Sequence, residues 1–243
     1  VTYCVALKLN EGIICLSDTR TNAGIDSISK YKKMFTWQAP GDRVITLMTA
    51  GNLAITQAVV SLLEENIEHP EDGIETLFTA PTMFRVAEIV GDAMRIVMGR
   101  YGPGLTAAGE SSASSIVVAG QRAGGDMRLF MVYSAGNFIE ATADTPYFQI
   151  GEHKYGKPIL DRVIDPSTPL QMGLTACFLS MDSTLRSNLS VGMPLDLAVM
   201  RTDDVSFDQL RRIEEGDENF AALSDAWSAA LRRSFDEMVQ IPV

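Results

Sequence analysis

The chain has 243 residues, 46% of them hydrophobic, and its 31 acidic against 20 basic residues give a net charge of −11. A chain of that size buries a substantial core, while the excess of carboxylates repels polyphosphate and excludes general nucleic-acid binding. Three widely separated cysteines, Cys4, Cys15 and Cys177, exclude a disulfide scaffold or paired-cysteine metal site, and His69 and His153 stand in no pattern that a histidine metal site or a Ser-His-Asp triad requires.

In chain order, alternating apolar positions from Thr2 to Leu9, the turn residues Asn10-Glu11-Gly12 and an extended run from Ile13 to Leu16 predict a hairpin at the N-terminus. Strands are expected at Lys33 to Trp37, Val44 to Ala50, Ser115 to Gly120, Leu129 to Ser134, Phe138 to Thr142 and Leu195 to Met200. Apolar residues at helical spacing predict one helix pair at Leu53 to Ile67 and Met83 to Tyr101, and a second at Lys157 to Val163 and Leu170 to Leu185. A terminal helix carries Phe220, Leu223, Trp227, Leu231, Phe235 and Met238 on one stripe, read as packing on its own domain. The Gly-rich stretches Tyr101 to Gly109 and Ala119 to Gly125 read as loops and lack the setting of a phosphate-binding loop. Runs of strands followed by helix pairs indicate one α+β layered domain, residues 1–243, without internal repeats. No secretory leader precedes the first strand and no apolar run spans a bilayer, so a cytoplasmic protein without a membrane partner is expected, its thiols reduced and buried.

A hairpin turning near residues 10 to 12 brings residue 2 beside Asp18-Thr19-Arg20. A threonine at a free N-terminus can use its own α-amine, with a reference pKa of roughly 7.7 to 8, as the base for its hydroxyl. It then needs a cation to favour the alkoxide and a carboxylate to hold that cation, roles that Lys33 and Asp18 can fill. Lys33 is preferred to Lys32 because it directly precedes the apolar run. Gly51, at a strand-to-helix junction, offers a backbone N–H for an oxyanion. Residue 1 is valine and, as written, blocks the amine; a GTG start codon translated as methionine and then removed would free it.

Thr2 followed after fifteen residues by Asp18-Thr19-Arg20, then Lys32-Lys33 before an apolar strand, then Ala50-Gly51-Asn52, resembles the β subunits of the proteasome and the bacterial HslV peptidase. The Tyr3-Cys4 entry and the string Ser17-Asp18-Thr19-Arg20-Thr21-Asn22-Ala23-Gly24 resemble more closely the bacterial Anbu family, the ancestral β subunit. The similarity runs from Thr2 to about Arg201, with a C-terminal helical extension from about 204. The resemblance implies a four-layer αββα sandwich of the N-terminal-nucleophile type. It assigns Thr2 as nucleophile, Asp18 and Lys33 as its charge partners, Gly51 as oxyanion donor and Arg20 as a structural partner. It also implies self-association into a large homo-oligomer, a peptide or amide substrate, and no cofactor or metal, and leaves any unfoldase partner unspecified. Two departures stand out. Glu152 replaces the serine that follows a strand-ending glycine in proteasomal β subunits, and in Ser187-Asn188-Leu189-Ser190-Val191-Gly192 the serine Ser190 is kept while Ser187 takes the place of an acid. These departures favour a second reading, a noncatalytic scaffold subunit; a small-molecule amidase on the same fold is a third.

Overall fold

The computed structural model describes residues 2–22 and 28–238; Val1 and the Ala23-Gly24 end of the N-terminal string lie outside the described residues. The expected hairpin is present as β1 (Tyr3–Leu9) and β2 (Gly12–Asp18), with Cys4 opposite Ser17. A short ribbon of β3 (Arg20–Asn22) and β4 (Ile28–Lys30) leads to β5 (Met34–Ala39) and β6 (Arg43–Gly51). Then come α1 (Leu53–Glu68), α2 (Met83–Ala107), β7 (Ser114–Arg122), β8 (Arg128–Tyr133), β9 (Phe138–Glu140) and β10 (Tyr147–Gly151). The chain continues through α3 (Lys157–Val163), α4 (Leu170–Ser187), β11 (Leu195–Arg201), β12 (Phe207–Ile213) and α5 (Glu218–Glu237).

Two antiparallel sheets result, ordered β10-β1-β2-β11-β12 and β5-β6-β7-β8-β9. Because side chains alternate across a strand, each sheet supplies two buried faces. Tyr3, Val5, Leu7 and Leu16 pack with Leu160, Cys177 and Met181 of α3 and α4. Ile45, Leu47, Val118 and Phe130 pack with Val59, Val90 and Met94 of α1 and α2. Between the sheets lie Cys4, Ala6, Cys15, Val44, Met48, Val117 and Ala198. This is the α+β, four-layer αββα sandwich. Burial on both faces explains why β2 reads as a nearly continuous apolar run; β1, expected to alternate, is instead buried on both faces from Tyr3 to Leu7.

Three helices begin with side-chain caps: Asn52 accepts from the Ile55 amide at α1, Thr82 from the Arg85 amide at α2 and Asp217 from the Phe220 amide at α5. Four sequence expectations are revised. The segment Tyr101 to Gly109 is not a loop, since α2 continues through Pro103 to Ala107, where Leu105 still packs on the core. Part of the second Gly-rich stretch, from Ala119 to Arg122, belongs to β7. The segment beyond about 204 is first a strand, β12, and becomes helical only at Glu218. The terminal stripe packs only in its first half: Phe220 and Leu223 join the core under α4, whereas Phe235 is 71% exposed and Leu231 and Met238 are also exposed.

Candidate active site

β2 ends in Asp18, whose carboxylate is fully buried and gathers donors from three separate parts of the chain. Its Oδ1 accepts from Lys33 Nζ at 2.7 Å and from the Tyr3 amide at 3.0 Å, and its Oδ2 accepts from the Gly192 amide at 3.2 Å. Lys33, 3% exposed, also donates to the Arg20 carbonyl at 2.5 Å. Burial raises the Asp18 pKa above the ordinary carboxylate value, and the lysine charge together with the three donors opposes that rise. Lys33 immediately precedes β5, and its own carbonyl accepts from the Thr49 amide of β6 at 2.9 Å, so both sheets hold the cation in place. Removing either charge would leave the other desolvated.

Thr2 precedes β1 and is 9% exposed, one residue from the amide that Asp18 accepts. Its carbonyl accepts from the Glu152 amide at 2.6 Å, which joins it to the end of β10. Gly151 lies flat against that carbonyl: its φ is +81°, and a Cβ there would come within 2.0 Å of the Thr2 oxygen. Gly51 closes β6 with φ +105°, where a Cβ would meet the Ala113 carbonyl at 2.2 Å. Only glycine fits such a close left-handed approach. The two glycines line one open cleft of about 420 Å³, whose other walls include Ala113, Ser114 and Tyr133. Thus Thr2, Asp18, Lys33 and Gly51, four positions spread over fifty residues of sequence, converge at one end of the sandwich.

The supporting residues fall into two groups. Arg20 donates to the Leu189 carbonyl at 3.0 Å, and Thr19 Oγ1 donates to the Pro194 carbonyl at 2.7 Å, so the loop after α4 is tied to the end of β2. Glu152 accepts from Asn188 Nδ2 at 3.2 Å and from the Lys154 amide at 3.2 Å, while Asn188 Oδ1 accepts from the Ser190 amide at 2.9 Å. Ser187 is exposed at the end of α4, and Glu152 makes its contact with the next residue instead. Asn188 is the group that sequence reasoning overlooked: it is the side chain that joins Glu152 to the Ser190 turn. Behind the site, the Tyr3 hydroxyl shares a hydrogen bond of 2.6 Å with Ser180 and accepts from Gln149 at 2.5 Å; burial raises its pKa strongly. A tyrosine at an inward strand position needs such partners, and that is the signal by which this network could have been sought.

Cys4, Cys15 and Cys177 are free and fully buried, and burial raises each thiol pKa. Among the described residues no group of His, Cys, Asp and Glu side chains is placed to hold a metal ion, and no helix is long and apolar enough to cross a membrane.

No protein-family model matches the chain, and a search of curated proteins finds no relative. Solved structures do match. A Gly-1 mutant of Anbu from Hyphomicrobium sp. strain MC1 is 49% identical over 100% of both chains, with a TM-score of 0.93. The chain belongs to the Anbu family. Anbu (ancestral beta-subunit) from Yersinia bercovieri is 43% identical over 99% of each chain, with a TM-score of 0.92. A structure described as the helical assembly of the Anbu complex from Pseudomonas aeruginosa is 44% identical, covering 99% of this chain and 98% of the other, with a TM-score of 0.92. Membership therefore extends over the whole Anbu chain, β12 and α5 included, beyond the Arg201 limit expected from the proteasomal pattern.

Proposed function

We propose that this Anbu-family chain is an N-terminal threonine hydrolase that cleaves peptide or amide bonds within a homo-oligomer. The observation that carries the reading is the buried Lys33–Asp18 pair one residue from Thr2, at 2.7 Å and with a third partner in the Arg20 carbonyl. A cation held this rigidly in a desolvated site lowers the cost of forming an alkoxide nearby, and a structural ion pair there would cost stability without return. In this reading the freed α-amine of Thr2 takes the hydroxyl proton as Oγ1 attacks the carbonyl carbon. The developing oxyanion is stabilised by the Gly51 amide, and the protonated amine then gives its proton to the leaving amine. Water repeats the sequence to release the acyl group. No step calls on a cofactor. The protein would work in the cytoplasm, and the helical assembly described for the Pseudomonas aeruginosa relative supports self-association here.

A second reading, a scaffold subunit without turnover, is favoured by the side chain of Glu152, which is engaged with Asn188 in place of the serine of a proton relay. The two are separated by one substitution. Thr2→Ala is expected to abolish hydrolysis and labelling by a threonine-directed electrophile while the protein still assembles; hydrolysis surviving at the parent rate rules out Thr2 as nucleophile. The reading also requires removal of residue 1, which intact mass and N-terminal sequencing of the assembled protein report directly. A mass that retains residue 1 favours the scaffold.

A further inference from the structure

Thr2 lies ahead of β1, and a strand end frays unless other contacts hold it. Its backbone is fixed at two points: the Thr2 carbonyl accepts from the Glu152 amide at 2.6 Å, and the next amide, that of Tyr3, donates to Asp18. Both points lead to one buried hydroxyl. Tyr3 is fully buried and packs in the helix-facing layer with Val5 and Leu7, yet it carries a polar group where those neighbours are apolar. Gln149 donates through its Nε2 to the Tyr3 oxygen at 2.5 Å, which leaves the one hydroxyl proton for Ser180 Oγ of α4 at 2.6 Å.

The same two hydroxyls seat the turn that carries Glu152. Gly156, the cap of α3, has φ −89° and ψ −29°, a conformation open to any residue. A Cβ there would nevertheless lie 2.1 Å from Ser180 Oγ and 2.5 Å from the Tyr3 hydroxyl oxygen. Space, and not backbone conformation, calls for glycine at this position, because the turn closes directly onto the hydroxyl pair. The turn is tight, with the Lys157 amide donating to the His153 carbonyl at 3.0 Å. Strands β1 and β10, helix α4 and the turn 152–156 therefore meet at two oxygen atoms. Phenylalanine would fill the same slot in the core with no hydroxyl to satisfy, so packing does not account for Tyr3.

We propose that the hydroxyl pair of Tyr3 and Ser180 is a positioning device that fixes Thr2 against the Glu152 turn. Tyr3 acts on the reaction only through the placing of its neighbour, and its bearing on catalysis rests on the threonine-hydrolase reading. A buried hydrogen-bond network holds the segments it joins more rigidly than apolar contact does. Reacting groups are sensitive to such placing, a displacement of about 1 Å costing roughly 10²-fold in rate. Here the network reaches both partners of the Thr2 backbone: the Tyr3 residue that follows it, and the turn whose first amide it accepts from.

Tyr3→Phe, Ser180→Ala and their combination test the proposal in the assembled, full-length protein, with Gln121→Ala, remote from this network, as the control for general loss of stability. Amide hydrogen exchange resolved to single residues comes first because it needs no turnover. In Tyr3→Phe the amides of residues 3 and 152 are expected to exchange about tenfold faster, while those of Val5 to Leu7 keep their parent rates. Unchanged exchange at residues 3 and 152 overturns the proposal, and so does an equal acceleration there in Gln121→Ala. Reactivity is then read with a peptidyl β-lactone, whose ring Thr2 Oγ1 opens to an ester that adds the whole reagent to the intact mass. The maximal labelling rate is expected to fall about tenfold in Tyr3→Phe and in Ser180→Ala at unchanged half-saturating lactone, and no further in the combination, because the two hydroxyls act as a unit. Losses that multiply, a change confined to half-saturation, or labelling at the parent rate in a loosened variant overturn it. A parent protein that takes no label, with residues 3 and 152 still loosened by Tyr3→Phe, removes the hydrolase reading and leaves the positioning device standing.

Discussion

The two ends of the sandwich solve the same problem in different ways. Where β2 runs out at Asp18 and β6 at Gly51, the interior is closed by an ion pair, with Asp18 fully buried and Lys33 3% exposed. At the opposite end, where β7 finishes and β11 turns toward β12, the interior is closed by a neutral amide together with the buried Arg43. Gln121, 2% exposed, donates to the Gly125 carbonyl at 2.9 Å and to Asp203 at 3.0 Å, and its Oε1 accepts from the Asp203 amide at 2.9 Å. Both ends need polar groups to satisfy backbone where strands stop, and an uncharged side chain is enough for that. Arg43, 4% exposed, is buried at the opposite end as well, but its carboxylate partner Asp42 is 42% exposed and the guanidinium also donates to the Leu77 and Ala80 carbonyls, whereas the pair with both charges buried lies at the end that holds Thr2. Desolvating both partners of an ion pair is a cost that packing does not require, and that difference between the two ends is what supports the proposed chemistry beside Thr2.

The largest effect should come from breaking the charged end. Lys33→Ala is expected to cost about 3–5 kcal/mol, because it strands a buried carboxylate, and to eliminate turnover; denaturant unfolding together with a hydrolysis assay reports both. Loss of stability alone, with turnover intact in the folded fraction, would make the pair structural and erase the contrast between the ends. At the opposite end, Gln121→Ala should cost about 1–3 kcal/mol through its unpaired partners and leave the hydrolysis rate of the folded protein unchanged. A parallel fall in rate at constant folded fraction would show that the two ends are coupled.

A smaller effect, in pH, sharpens the comparison further. Since the Asp18 pKa is raised by burial, its folded value lies above its unfolded one. The stability associated with the protonated acid is then full below the unfolded pKa and is lost as pH rises through the folded value. Activity runs the opposite way, because Lys33 needs the ionised carboxylate. The acid limb of kcat/KM is therefore expected above the ordinary aspartate value of about 3.9, and a limb at or below that value would count against an ionised Asp18 as the required form. At the Gln121 end the exposed Asp42 shifts the other way, held below the ordinary carboxylate value by its hydrogen bond from Arg43.

Much of this was legible in the chain. The hairpin register followed from the position of its turn, and with it the neighbourhood of Thr2 and Asp18, because antiparallel pairing is set by counting outward from the turn. Apolar spacing located α1, α3, α4 and the start of α2. β10 and β12 were missed. One follows a proline and the other reads Phe207-Asp208-Gln209-Leu210-Arg211-Arg212-Ile213, largely polar, and both are edge strands, where one side of the ladder is free and the sequence is less constrained. The stripe on α5 was visible but not its fate, since periodicity shows that a helix has an apolar face and not how much of that face a neighbour covers.

By itself the sequence determined the layer composition, the N-terminal hairpin and the set of residue types able to run amine-assisted threonine chemistry, since each depends on local spacing. Only the tertiary structure decided that Lys33 reaches Asp18 and the Arg20 carbonyl together, that Gly192 contributes a donor from across the sheet, and that Glu152 is held by Asn188. Those contacts join residues from 13 to 174 positions apart. Such distances carry no local periodic signal and become definite only when the stacked sheets bring the strand ends together.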